Sequence, residues 1–133
     1  MGSLPPKGAC DMAVNYDMAL VTCAGKKPNF VFSEVKTDDK GLVPVVVQED
    51  ATGDVLMLAY MNEEAYNLTL ERGVMTYYSR SRSELWLKGD TSGHYQYVRS
   101  LFLDCDKDTI LARVVQVGSA CHTGSHSCFF NEI

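Results

Sequence analysis

The chain has 133 residues, with 12 basic and 17 acidic side chains, a formal net charge of −5 and 46% hydrophobic residues. That is one domain of ordinary size with enough apolar content for a packed core, which excludes wholesale disorder. The acidic balance argues against nonspecific nucleic-acid binding, which needs a basic face, and no apolar run reaches the ~18 residues of a membrane-spanning helix.

At the N-terminus only Lys7 precedes a weakly apolar stretch, which Asp11 and Asp17 interrupt, a poor match to a secretory signal. Pro6 stands where an N-myristoylation pattern wants Ser or Thr. Five cysteines in such a chain read as thiols or metal ligands ahead of disulfides, and they point to a cytoplasmic protein. Residues 1–29 lack clear periodicity. GSLPPKG and AGKKPN read as loops, and MAVNYDMALV between them fits a short helix or a strand. Residues 1–40 are set apart as an N-terminal extension without an assigned role, and 41–133 as the domain.

From Leu42 the pattern sharpens. LVPVVVQ is a β-branched run that reads as a strand, with Pro44 marking an edge or a strand start. Asp50-Ala51-Thr52-Gly53 has turn chemistry, and DVLMLAYM is a second strand, so the two predict a hairpin. Asn62 suits a helix cap, Glu63 and Glu64 its first turn, Arg72 its last, and Gly73 the position beyond its end. VMTYYS is a third strand that sends Tyr77 and Tyr78 to opposite faces. Residues 80–94 form a polar loop with a short strand over Glu84 to Lys88. YQYVRSLFLDC and TILARVVQV are two more strands, and the second, apolar on both faces, is expected to be central. The fold class is α+β: a mainly antiparallel sheet with one principal helix.

Three groups of residues carry chemistry. Cys105, Cys121 and Cys128 suit zinc, which favours sulfur, and three protein ligands leave a fourth position open, as catalytic sites do. Buried thiols without a metal fit the same residues. A nine-residue strand spans roughly 30 Å, so Cys105 and Cys121 of one chain stand too far apart to share an ion, and the simplest shared metal joins two chains. Cys10 and Cys23 have no place in that set. Asp104, Asp106 and Asp108 alternate along an extended chain and offer oxygens suited to Mg²⁺. They are no EF-hand, since Thr109 and Val115 stand where that loop needs Gly and Glu, and a solvated acidic turn is the plain alternative. Finally, the loop from Ser79 carries Arg80, Ser81, Arg82, Ser83, Lys88, Thr91, Ser92 and Gly93, which are phosphate-binding residue types in an otherwise ordinary polar loop. Trp86 fits stacking on a base or burial in the core. His122 and His126 each fit a general base or a surface residue, with His122, beside Cys121, the stronger candidate.

DVLMLAYMN, YYSRSRSELWLKGDTSG, LDCDKDT and ACHTGSHSCFF, in that order, resemble the phosphoribosyl-AMP cyclohydrolase family of histidine biosynthesis, over about Gly41 to Phe130. The resemblance implies an intertwined homodimer in which Cys105 of one subunit joins Cys121 and Cys128 of the other around zinc. It matches Asp104, Asp106 and Asp108 to magnesium ligands. It implies hydrolysis of the adenine ring of phosphoribosyl-AMP at N1–C6, the third step of the pathway, with water activated by zinc and His122 as proton carrier. Magnesium and the Arg80/Arg82 loop would hold the phosphates. Many members have His after the motif's Trp; here Leu87 stands there. CFFNEI resembles the point where bifunctional members continue into a pyrophosphohydrolase domain. The rival readings are a noncatalytic zinc-stabilised dimeric binding module, with His122 or His126 closing the metal shell, and another zinc hydrolase of purine nucleotides, though the deaminase pattern H-x-E…P-C-x-x-C is absent.

Overall fold

The computed structural model describes residues 16–133. Cys10 and the part of MAVNYDMALV before Tyr16 lie outside them; the remainder of that stretch forms a short 3₁₀ turn, Met18–Leu20. Among the described residues the strands are β1 (Val43–Glu49), β2 (Val55–Met61), β3 (Thr76–Ser79), β4 (Glu84–Leu87), β5 (Gln96–Leu103) and β6 (Ile110–Gln116), with one α-helix, α1 (Glu63–Arg72). The architecture is α+β, mostly strand.

β1 and β2 form the expected antiparallel hairpin, Val45 opposite Ala59. The sheet is nonetheless mixed. Its order is β2-β1-β6-β5, and β6 lies parallel to β1 while antiparallel to β5. β3 and β4 form a separate two-stranded sheet. Three of the four strand pairings are antiparallel, as expected; what is corrected is the single sheet, since the strands divide into two and the β1–β6 pairing is parallel. Local pattern identifies a strand, but the neighbour it finds across 60 residues of sequence is chosen by burial: Val45, Val47, Ile110, Ala112 and Val114 are all fully enclosed and pack as one layer. Of the two readings of Pro44 the strand start holds, since it is the second residue of β1, and the edge does not. β1 is interior, but its pairing with β6 begins only at Val45, so Pro44 meets a partner on the β2 side alone, at Tyr60. β6 is central, as expected.

Helix α1 follows its signals. The Asn62 side chain accepts the Ala65 N–H at 2.8 Å, and Gly73 closes the helix at φ 79° with its N–H on the Thr69 carbonyl. A side chain at Gly73 would come within 2.6 Å of Val21 and 3.0 Å of the Ala24 backbone, so glycine also lets the N-terminal segment approach. The buried Thr69 hydroxyl donates to Ala65 O, and it accepts the Thr76 N–H at 3.0 Å, fixing α1 to β3.

Residues 16–40 pack onto the domain. Phe30 and Val35 belong to its core, and Tyr66 donates its hydroxyl to the Phe30 carbonyl at 2.8 Å. Arg99, at a bulge in β5, donates to Leu20 O and Thr22 Oγ1. The segment also reaches the β5–β6 turn, where the Lys36 N–H meets the Lys107 carbonyl at 2.7 Å. No helix of the described residues is long and apolar enough to cross a membrane.

Candidate active site

After β6 the chain folds back along β2. The Cys128 N–H bonds to Leu56 O at 2.7 Å and the Ser127 hydroxyl to Val55 O at 2.8 Å. The loop between is closed on itself by Ala120 N–H to His126 O, Cys121 N–H to Ser125 O and Gly124 N–H to Cys121 O. These bonds bring the Cys121 and Cys128 thiols into mutual contact. Thr123 Oγ1 donates to Cys121 Sγ at 3.1 Å, and this bond, ahead of the others, holds the Cys121 pKa below its usual value. Cys128 moves the other way: burial raises it first, then the neighbouring Cys121. The pair thus carries a negative charge most readily on Cys121. Lys88, on the stretch before Gly89, is only 8% exposed, with Nζ 2.6 Å from the carbonyl of Ala120, the residue before Cys121, and 5.4 Å from the Trp86 ring centre.

Cys128 opens onto a cleft of about 760 Å³ lined by Tyr60, Tyr78, Arg80, Ser81, Trp86 and Phe129 among others. The Arg80 guanidinium sits 4.0 Å over the Tyr60 ring, a cation–π contact that fixes its position at the rim. Trp86 packs on the buried Tyr77, ring centres 5.5 Å apart, and is part of the cleft lining. Burial and the Cys128 thiol keep Tyr77 protonated, and its hydroxyl donates to Gln96, which donates in turn to Gln116 at 2.7 Å.

The acidic turn stands elsewhere. Carboxylate oxygens of Asp104, Asp106 and Asp108 lie within 4.8 Å of one another, all exposed. Asp104 Oδ1 accepts the N–H groups of Asp108 and Thr109 at 3.0 and 3.2 Å. Desolvation pushes its pKa up, but those N–H donors together outweigh it and the net shift is down. Asp106 is raised, first by its hydrogen bond with Asp108, then by desolvation and the charge of Asp104. Three carboxylates held this close fit a hard divalent cation, which would relieve their repulsion. Cys105 is exposed beside them and does not join Cys121 and Cys128 within that distance. β6 has seven residues rather than nine, but it still separates the two ends by roughly 20 Å.

The phosphate-type loop is divided among four places. Arg80 and Ser81 face the cleft. Arg82 points to Glu84, 3.6 Å away at the surface. Thr91 and Ser92 line another hollow, of about 420 Å³, beside Asp17 and Tyr95. Lys88 is buried at the thiols. His122 is exposed beside Cys121. His126 Nε2 lies 2.9 Å from Glu49 Oε1, and Asp54 completes a second carboxylate–histidine group at the hairpin turn. Cys23 is half-buried far from both sites, its thiol on the Arg99 carbonyl.

Sequence reasoning passed over Tyr60 and His94. Tyr60 carries no signal beyond its place in an apolar strand, because the guanidinium that covers it comes from another element. His94 Nδ1 lies 3.2 Å from the Ser119 carbonyl, and its ring covers Gly118 so closely that any side chain there would clash. It thereby braces the start of the cysteine loop. Its only sequence signal is its position at the end of the polar loop.

A family model described as phosphoribosyl-AMP cyclohydrolase matches residues 57–130. Curated proteins named phosphoribosyl-AMP cyclohydrolase are similar over most of their length. One from Streptococcus mutans is 69% identical over 93 residues, covering 70% of this chain and 85% of that protein. One from Listeria monocytogenes serotype 4a is 63% identical over 94 residues, 71% of this chain and 90% of that protein. One from Bacillus cereus is 58% identical over 107 residues, 80% of this chain and 98% of that protein.

Proposed function

The chain belongs to the phosphoribosyl-AMP cyclohydrolase family of hydrolases, and from that membership we propose that it opens the adenine ring of phosphoribosyl-AMP by hydrolysis at N1–C6, with zinc at Cys121 and Cys128. The observation that carries the reading is the pairing of two thiols, Cys121 and Cys128, the second at the wall of a cleft that also presents Arg80 and Trp86. Soft sulfur donors suit zinc, and the hard oxygens of Asp104, Asp106 and Asp108 suit magnesium.

Two thiols from one chain do not fill a zinc shell. Cys105 stands about a strand length away with its thiol exposed, so we assign the third ligand to Cys105 of a second copy, in an intertwined homodimer. The exposed Leu58 on edge strand β2, with Phe129 and Phe130 beyond the loop, offers apolar area for that second copy. A bound zinc supplies Lewis acidity and a water made nucleophilic near neutral pH. The chain's own residues do the rest. Substitution at N1 makes the purine cationic and C6 electrophilic, and Trp86 offers a flat face against which that ring can lie. Arg80, held over Tyr60, meets a phosphate at the rim, with Ser81 beside it. His122, exposed next to Cys121, takes a proton from the attacking water and returns one to the departing N1. Cleavage of C6–N1 leaves a formamidine and a carboxamide. Arg82, Thr91 and Ser92 reach phosphate only if the second copy brings them to the cleft. The setting is cytoplasmic, where thiols stay reduced and able to take a metal.

Incubating the purified protein with phosphoribosyl-AMP and zinc should change the ultraviolet spectrum as the purine opens, and a chelator should stop the change. A protein that holds zinc at a closed four-ligand site and leaves the spectrum untouched would be the noncatalytic binding module instead.

A further inference from the structure

Lys88 reads from sequence as one more phosphate ligand. Its surroundings say otherwise. It does not line the cleft that holds Arg80 and Ser81, and only 8% of its surface is exposed. Its Nζ donates to the Ala120 carbonyl at 2.6 Å, and Ala120 is the residue before Cys121. Trp86 covers the ammonium from one side. So little exposed surface leaves a phosphate poor access to it.

We propose that Lys88 is a positioning residue of the metal site: its ammonium seats the Cys121–Cys128 loop through the Ala120 carbonyl and balances the charge of the thiolates. This rests on the reading that those thiols take zinc. The charges agree with it. Three thiolates and one divalent ion leave a single negative charge, and one buried ammonium cancels it. In a largely enclosed corner a balanced set is far less costly than an unbalanced one, and salt screens it little. The hydrogen bond adds direction. It fixes the peptide immediately before Cys121, while the Cys128 N–H is fixed to β2, so the two ligands are held from opposite sides.

The test is zinc affinity of the full chain, measured by competition with a chromophoric chelator and zinc alone as the probe. Lys88→Met keeps volume without charge; Lys88→Gln keeps an N–H for Ala120 O without charge. Both should weaken zinc binding by roughly 10–100-fold, the usual effect of losing a partner that orients a ligand. The rise in melting temperature on adding zinc should shrink, while the metal-free proteins melt near the wild type. At saturating zinc, KM should stay near the wild-type value. Lys27→Gln, which removes an exposed lysine, should bind zinc normally. Unchanged zinc affinity with a raised KM would overturn the proposal in favour of a phosphate ligand. An equal drop in melting temperature with and without zinc would overturn it in favour of plain packing. If Lys88→Met cannot fold, Lys88→Gln decides alone, and failure of both to fold even with zinc counts against the proposal. Cys128→Ser tests the underlying reading separately: were it to bind zinc like the wild type, the thiol site itself would fall, and this role with it.

Discussion

The cysteine loop and the acidic turn both gather donor groups of metal-binding type, and they are built in opposite ways. The loop at 120–128 is stitched to β2 by backbone bonds, has its buried end at Ala120 and Cys121 tied to Lys88, and offers sulfur. The turn at 104–108 is exposed, held by bonds within itself and by Lys36, and offers oxygen. Enclosure suits a metal that stays and does chemistry, because ligand positions are set before it arrives. An open ring of carboxylates suits an ion that keeps several waters and is shared with a phosphate-bearing substrate. Burial and donor hardness therefore point to different ions at the two ends of one strand.

That contrast breaks most sharply at Cys128. Cys128→Ala should abolish both zinc content and activity, since only two of the three proposed thiols, Cys121 and a second copy's Cys105, would remain for the ion; metal analysis beside the spectrophotometric assay reads both. Full zinc retention would move the site elsewhere. His122→Asn tests what borders the same loop. As a proton carrier, His122 should be dispensable for zinc but needed for turnover, with kcat down roughly 10²–10⁴-fold. A fourth structural ligand would instead show as weaker zinc binding and earlier melting. Wild-type values throughout would leave His122 a surface residue.

Smaller effects belong to the acidic side. Asp106→Asn replaces a charged oxygen ligand by a neutral one, so activity should need more magnesium while zinc content barely changes. Loss of zinc with an unaltered magnesium response would mean the corners were assigned the wrong way round. The smallest effect concerns a carboxylate that serves no metal. Asp38 accepts the Leu42 and Lys40 N–H groups at 2.9 and 2.8 Å, and these bonds hold its pKa below 3.8. A folded pKa below the unfolded one stabilises the native state above that unfolded value, and the contribution is lost as pH falls through the folded pKa. Asp38→Ala should therefore melt slightly earlier than the wild type at pH 7, and the gap should narrow below about pH 4. A gap that widens in acid would contradict the sign.

The sequence by itself determined the elements and the ligand types. The Asn62 cap, the acidic first turn and Gly73 bracket α1 because each acts on backbone groups within a few residues. β-Branched alternation located the strands for the same reason, and the cysteine and aspartate motifs named the donors by their chemistry. Tertiary structure decided the partners. The parallel β1–β6 pairing, the enclosure of Lys88, the dispersal of Arg82, Thr91 and Ser92 from the cleft, and the Arg80–Tyr60 contact all join residues distant in sequence. A local pattern says that Lys88 is a cation in a polar loop. It does not say which face of the two-stranded sheet that loop will close against. That choice follows from burying Trp86 and Tyr77 on one side and drawing the 120–128 loop across β2 on the other, an outcome of global packing that no window of neighbouring residues encodes.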